Sequence, residues 1–258
     1  MQVEAYARDG YVSPIDVLSA DEVKTFRQDL EDWEKQRGQT IDFPEKSKSY
    51  LLFNWADQLV HHPRILDAVE DVIGPDILVY HSTLFLKEAN TPAYVRWHQD
   101  STYFYLSPHL HVTAWVALSD ASIAAGCMQV LPGSHQWGAF EHDDKPEPMN
   151  MIRRGQGISD RFDQETGTMM PVSAGQMSLH HVKIVHGSPP NRSAARRYGY
   201  AIRYVAPHVR QRGDQPWATL VRGRDDHGNF RRDPVPRGDF DPEVLAVFPN
   251  LKPVQHRA

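Results

Sequence analysis

From Asp76 onward the chain is cut into short runs rich in β-branched and aromatic residues, each closed by proline, glycine or serine. The runs are Ile77 to Leu86, Tyr94 to His98, Val112 to Leu118, Met128 to Leu131, Met177 to Val185 and Tyr198 to Val205. Such runs read as strands, and a series of them in one chain points to a sandwich, jelly roll or barrel. Two amphipathic helices precede them. Ser19 and Glu22 have capping-box spacing, and Val23, Phe26, Leu30 and Trp33 then share one face, which predicts a helix over roughly 20–37. Pro63 suits a first helical position, Ile65, Leu66, Val69 and Ile73 form a second stripe, and Gly74-Pro75 ends it. The expectation is a mainly β fold with flanking helices in a single domain over 1–258. Its parts are a helical annex at 1–75, a β core at 76–207 and a C-terminal extension at 208–258.

Bulk properties narrow the partners. With 258 residues, 40% hydrophobic and 24% charged, the chain can bury a sizeable core. Its net charge of −5 and scattered basic residues give no footprint for nucleic acid, so a small molecule is the expected partner. The single cysteine, Cys127, excludes an intramolecular disulfide framework and a multi-cysteine zinc site, and its apolar surroundings predict a buried structural thiol. No run of about 18 apolar residues and no secretory pattern is present, so the expectation is a cytoplasmic protein with no membrane partner. Oligomeric state is not legible.

Two stretches follow neither a helical nor a strand period: 136–176, with Asp143-Asp144-Lys145-Pro146-Glu147-Pro148, and 208–242, rich in Arg, Asp, Gly and Pro. Long irregular segments of this kind are functional covers or disordered. We expect 136–176 to supply part of a mobile cover over an active site.

The chemistry concentrates at Trp97-His98-Gln99-Asp100. Side chains two apart on a strand share a face, so His98 and Asp100 can converge on one ion. The same spacing occurs at His142 and Asp144, but in a charged, proline-containing stretch with nothing rigid to hold ligands, and is read as a solvated loop. Downstream, a strand-like run delivers His186 into Gly187-Ser188. Two histidines and one carboxylate with open positions form the facial triad of non-haem iron(II) oxygenases.

These residues resemble the phytanoyl-CoA dioxygenase family of 2-oxoglutarate-dependent oxygenases. The likeness covers about residues 60–205: His81 to Lys87 leading into Trp97-His98-Gln99-Asp100, then Ala114 to Leu118, Gly126 to His135, and His181 through His186-Gly187-Ser188, Asn191 and Arg197. The resemblance implies a double-stranded β-helix, a cupin-like jelly roll. Its cofactors would be Fe(II) on His98, Asp100 and His186, 2-oxoglutarate as cosubstrate, and O2. It places the distal carboxylate of 2-oxoglutarate on Arg197 and Ser188, with Trp115 and Thr83 lining that pocket. A guanidinium suits the task, because a buried carboxylate needs a permanently charged planar fork. Arg196 would point to the opposite face and is expected at the surface. The implied reaction hydroxylates an unactivated C–H bond and releases succinate and CO2. Alternatives are desaturation, epimerisation or halogenation at the same iron, the last disfavoured by Asp100, or a cupin-like divalent-metal protein without oxygenase activity.

Other candidates are bland by default. His81, His111, His180 and His181 read as core or second-layer imidazoles, and His61, His62, His109, His208, His227 and His256 as exposed. Tyr103, Phe104 and Tyr105 are candidate substrate contacts. Arg153, Arg154, Arg222 and Arg224 are weaker candidates for an acidic substrate.

Overall fold

The capping box forms as the spacing predicts: the Ser19 side chain accepts from the Glu22 amide and the Glu22 carboxylate accepts from the Ser19 amide, while Gly38 closes the helix in the left-handed conformation. The computed structural model describes residues 2–251 except 144, 146, 153–156, 159–161, 164–165 and 214. In chain order it contains α1 (Gln2–Asp9), β1 (Tyr11–Asp16), α2 (Ala20–Arg37), α3 (Asn54–Val60), α4 (Pro63–Ile73), β2 (Ile77–Lys87), β3 (Val95–His98), α5 (Ser101–Phe104) and β4 (Leu106–Ser107). There follow β5 (His111–Ala117), β6 (Met128–Val130), β7 (Thr168–Met170), β8 (Gln176–His181), β9 (His186–Ser188), β10 (Arg197–Val205), β11 (Arg210–Gln211), β12 (Trp217–Arg222), β13 (Arg231–Arg232) and α6 (Pro242–Val247).

A seven-stranded sheet in the order β1-β8-β5-β10-β2-β12-β13 lies across a cavity from a four-stranded sheet in the order β3-β9-β6-β7. This is the double-stranded β-helix. Alternation along the central strands divides the large sheet into two faces. Tyr198, Tyr200, Ile202 and Tyr204 of β10, with Val112, Ala114 and Val116 of β5, join the apolar core shared with Phe26 and Leu30 of α2, Leu59 of α3 and Ile65 and Val69 of α4. The intervening residues face the cavity.

Several expectations change. The run Met177 to Val185 is not one strand: β8 ends at His181, a turn follows, and His186 opens β9 in the other sheet. The helical annex contributes β1, which pairs with β8 at the sheet edge. Its Pro14 obscures the strand pattern and is tolerated because only one side of an edge strand is bonded. The C-terminal segment contributes β12, paired with β2. Its polar, proline-rich flanks mask it in the sequence. Cys127 is buried, as expected.

Arg196 is also corrected. Instead of facing water, it forms a two-pronged ion pair with Glu34 of α2 at 2.6 and 2.9 Å and reaches Glu88 at 2.8 Å. Glu34 Oε1 also accepts from the Ile41 amide at 2.7 Å. One carboxylate thus ties α2, the segment after it and β10 together. Glu34→Ala leaves a largely buried guanidinium and a buried amide short of their acceptor, and should destabilise the fold by about 3 kcal/mol. Urea unfolding of the single and Glu34→Ala/Arg196→Ala variants checks this, with the double variant costing less than the sum.

Candidate metal and cosubstrate site

β10 is bonded along its length to β2 and β5, and β5 to β8, so the cavity face carries cross-sheet rows. One row runs His180, Thr113, Arg203, His81; the next runs Ser178, Trp115, Ala201, Thr83; further along come Ala117, Gly199 and Phe85, and finally Arg197 opposite Lys87. Gly199 is required in its row, because a Cβ there would lie 2.0 Å from the Trp115 ring.

Against these rows the small sheet presents His98 and His186, which stand opposite each other where β3 pairs with β9. Their rings are 4.1 Å apart, and one ligand atom from each of His98, Asp100 and His186 falls within 4.8 Å of the others, all three residues being buried. Each imidazole directs Nδ1 at a nearby carbonyl, His98 at Arg96 (2.8 Å) and His186 at Ile184 (3.0 Å). A carbonyl only accepts, so Nδ1 carries the proton and Nε2 offers its lone pair. Asp100 Oδ1 lies 3.4 Å from His98 Nε2, and Oδ2 accepts from Thr113 Oγ1 at 3.0 Å and lies 3.5 Å from Arg203 Nε. Burial alone would raise the Asp100 carboxyl, but Arg203 above all, then His98 and His186, hold it well below the usual carboxylate range. Burial, assisted by His98 and His180, pushes His186 far down. The result is a permanent carboxylate beside a neutral imidazole lone pair, the donor set that suits Fe(II).

Beneath this cluster an inner chamber of about 430 Å³ of empty volume is lined by Trp115, Met128, His180, Ser188, Arg197 and Arg203 among others. Arg197 is 2% exposed, its guanidinium lies over the Trp115 ring at 5.2 Å, and its Nε has no hydrogen-bond partner. An orphaned buried guanidinium N–H beside a hydroxyl is a fit for a carboxylate. Thr83, expected in the same pocket, lines instead the wider outer chamber of about 1430 Å³, where it accepts from Arg203 Nη1 at 3.2 Å. Tyr103 and Phe104 line the outer chamber together with Phe43, Lys46, Phe85, Asn150, Met151 and Ile152. Tyr105 does not: it adopts φ +51° and is 69% exposed.

The 136–176 segment packs on the metal motif. His142, expected in a solvated loop, is half-buried and accepts from the Gln99 amide at Nε2 (2.9 Å), while Nδ1 faces the Phe140 carbonyl at 3.0 Å. Asp144 lies outside the described residues, as do Arg153, Arg154 and His256. The buried Gln99 side chain donates to the Gly138 and Lys183 carbonyls at 2.9 and 2.7 Å and accepts from the Phe140 amide at 2.9 Å. Arg96 pairs with Asp143 at 2.7 Å. Arg222 pairs with Asp67 and Glu70 of α4, and Arg224 with Asp226, so neither faces the cavity. His62, expected exposed, is half-buried and bonds Glu22 at 3.1 Å.

Sequence reasoning missed Thr113, Arg203 and Lys87, whereas His180, read there as a core or second-layer imidazole, lines the inner chamber. Parity was the available signal: Arg203 is six residues from Arg197 and Thr113 two from Trp115, so each pair shares a strand face. His180 and His111 are buried with both ring nitrogens unpartnered, and burial lowers them to about 4 and about 3.

A jelly roll holding a His-Asp-His cluster beside a chamber lined by a buried guanidinium is the arrangement of the 2-oxoglutarate oxygenase class. The sequence profile of the phytanoyl-CoA dioxygenase (PhyH) family matches residues 6–199, and the chain belongs to that family. It is 28% identical over 227 residues to a probable alpha-ketoglutarate-dependent hypophosphite dioxygenase of Stutzerimonas stutzeri, covering 80% of this chain and 78% of that one. Among solved structures it resembles the non-heme monooxygenase ThoJ in its apo form (TM-score 0.85, 33% identity, 97% of this chain and 94% of that chain). It also resembles the non-heme alpha ketoglutarate dependent carbocyclase SnoK from nogalamycin biosynthesis (TM-score 0.66, 26% identity, 82% and 85%). The chain spans about half the length of the curated phytanoyl-CoA dioxygenases it matches. It is thus an Fe(II)- and 2-oxoglutarate-dependent oxygenase. Among the described residues no helix is long and apolar enough to cross a membrane.

Because Gln99 joins the metal motif to two other segments, Gln99→Ala should cost about 3 kcal/mol for its three side-chain hydrogen bonds and weaken metal binding by about tenfold. Thermal unfolding and a zinc(II) or iron(II) titration measure the two effects; unchanged metal affinity would remove Gln99 as a support of the ligand geometry.

Proposed function

We propose that this chain hydroxylates an unactivated C–H bond of a small molecule, with His98 and His186 holding Fe(II) through Nε2 and Asp100 through Oδ1. The observation that carries the reading is the buried three-residue cluster, with both Nδ1 protons directed away from its centre. Bound Fe(II) supplies activation of O2 coupled to decarboxylation of 2-oxoglutarate to succinate and CO2. The chain's own residues do the rest. Thr113 and Arg203 occupy Oδ2 of Asp100 and so fix which oxygen faces the metal. Arg197 receives the distal carboxylate of 2-oxoglutarate with its planar fork, Ser188 donates to it, and Trp115 forms the wall on which the guanidinium lies.

The outer chamber meets the inner one at His98, Asp100, Phe85 and Arg203, which puts its contents next to the metal cluster. Phe43, Phe85, Tyr103, Phe104, Met151 and Ile152 favour an apolar or aromatic portion of the substrate, with Lys46 and Asn150 as polar anchors. The segment 136–176 acts as the cover, excluding water from the site while the reactive species is present. Asp100 occupies the position a halide ligand would need, which favours oxygen transfer over halogenation. A cytoplasmic setting belongs to the same reading, because Fe(II) persists in a reducing compartment.

Two measurements test this. Mass spectrometry of the product under labelled O2 with excess chloride should show one labelled oxygen added. A product two hydrogens lighter without label, or one carrying chlorine, would replace hydroxylation. Arg197→Ala should weaken 2-oxoglutarate binding at least about 100-fold, because it leaves a buried carboxylate unpaired; an unchanged dissociation constant would move the cosubstrate elsewhere.

A further inference from the structure

Lys87, the last residue of β2, is wholly buried and sits directly opposite Arg197 of β10. Directly opposed residues on an antiparallel pair share a face, and like charges there repel. Among the described residues no carboxylate forms an ion pair with either cation, and burial together with Arg197 pushes Lys87 down to about 6. What holds Lys87 is neutral: its Nζ donates to Ser188 Oγ at 2.7 Å, to the Ser188 and Gly126 carbonyls at 3.4 and 3.5 Å, and to the Pro189 carbonyl. Arg197 Nη1 donates to the same Gly126 carbonyl. Gly126 has φ +67°, and a Cβ there would lie 2.3 Å from the Pro189 carbonyl oxygen, so only glycine brings this carbonyl so close to both cations.

We propose that Lys87 is a positioning residue of the cosubstrate pocket: by donating to Ser188 Oγ it turns the hydroxyl proton toward the distal carboxylate, whose arrival favours the charged form of Lys87 behind Arg197. A hydroxyl that accepts from an ammonium has one proton left to give, and Ser188 lines the inner chamber where that proton can reach a ligand. An entering carboxylate also favours the charged form of Lys87, which burial and Arg197 otherwise disfavour, whereas a neutral ligand would not. Lys87 therefore contributes to selection for a 2-oxo acid that carries a second carboxylate.

The inference rests on the assignment of Arg197 and Ser188 to 2-oxoglutarate, and the test separates the two. Calorimetry on the manganese(II)-loaded protein measures binding of 2-oxoglutarate and of 2-oxopentanoate, which has the same 2-oxo acid head and no distal carboxylate. Lys87→Met should weaken 2-oxoglutarate by about tenfold or more and 2-oxopentanoate by less than about twofold. Lys87→Gln, which keeps a donor without the charge, should show the same selective loss in smaller measure. In the Ser188→Ala background Lys87→Met should add less than about threefold, because the two residues act through one hydroxyl. Equal weakening of both 2-oxo acids makes Lys87 a purely structural residue, and unchanged 2-oxoglutarate affinity removes it from the pocket. If Arg197→Ala also leaves 2-oxoglutarate unaffected, the pocket assignment itself falls; if only the Lys87 variants are silent, that assignment stands and this inference fails.

Discussion

β10 is hydrogen-bonded to β2 on one side and β5 on the other, and all nine of its residues are buried, so its register decides which side chains meet the cavity. In this register Arg197, Ala201 and Arg203 face the chemistry, while Tyr198, Tyr200, Ile202 and Tyr204 face the helices. A slip by one residue would put two guanidiniums into the apolar layer and tyrosines into the site. The tyrosine hydroxyls help to pin it: Tyr200 bonds Ser82 and Tyr204 the Val60 carbonyl, each across to another element. Helical packing on one face thereby holds the polar rows in place on the other.

Within the cavity, charge is distributed unevenly. Around the metal cluster the Asp100 carboxylate is matched by Arg203, and both are buried. Deeper in, Lys87 and Arg197 have, among the described residues, only carbonyls and a hydroxyl as partners, apart from the Trp115 ring below Arg197. On the proposed reading, that end receives the distal carboxylate of 2-oxoglutarate. The outer chamber is mostly apolar and aromatic. The two chambers, which share Phe85, His98, Asp100 and Arg203, thus differ in character: basic side chains line the inner one and apolar and aromatic side chains most of the outer one.

The segment between β6 and β7 takes part in this arrangement. Gln99, His142 and the Arg96–Asp143 pair join it to the strand and turn that carry His98 and Asp100. β3 ends at His98 and Asp100 begins the turn of α5, and Gln99 between them directs its side chain to the Gly138 and Lys183 carbonyls and the Phe140 amide. Through Gln99, the strand and turn that carry His98 and Asp100 are tied to Gly138 and Phe140 of that segment.

The sequence by itself determined what depends on near neighbours. The α2 capping box, the α4 stripe, the central strands and the pairing of His98 with Asp100 follow from spacings of two to four residues. The strand-like run before Gly187-Ser188 added His186, and family likeness added Arg197, Ser188 and Trp115, which the fold brings to one cavity with it. What only the tertiary structure decided are the contacts made across long separations. β1 was hidden because an edge strand tolerates proline, and β12 because its flanks are polar and proline-rich. Arg196 was misjudged because the side of a strand away from the cavity is covered by α2, and His142 because the burial of a loop depends on what it packs against. Thr113, Arg203 and Lys87 had the right parity, but parity says only which residues share a face. Which face becomes the cavity, and which charges stand opposed there, is settled by strand register and by packing between residues far apart in the chain.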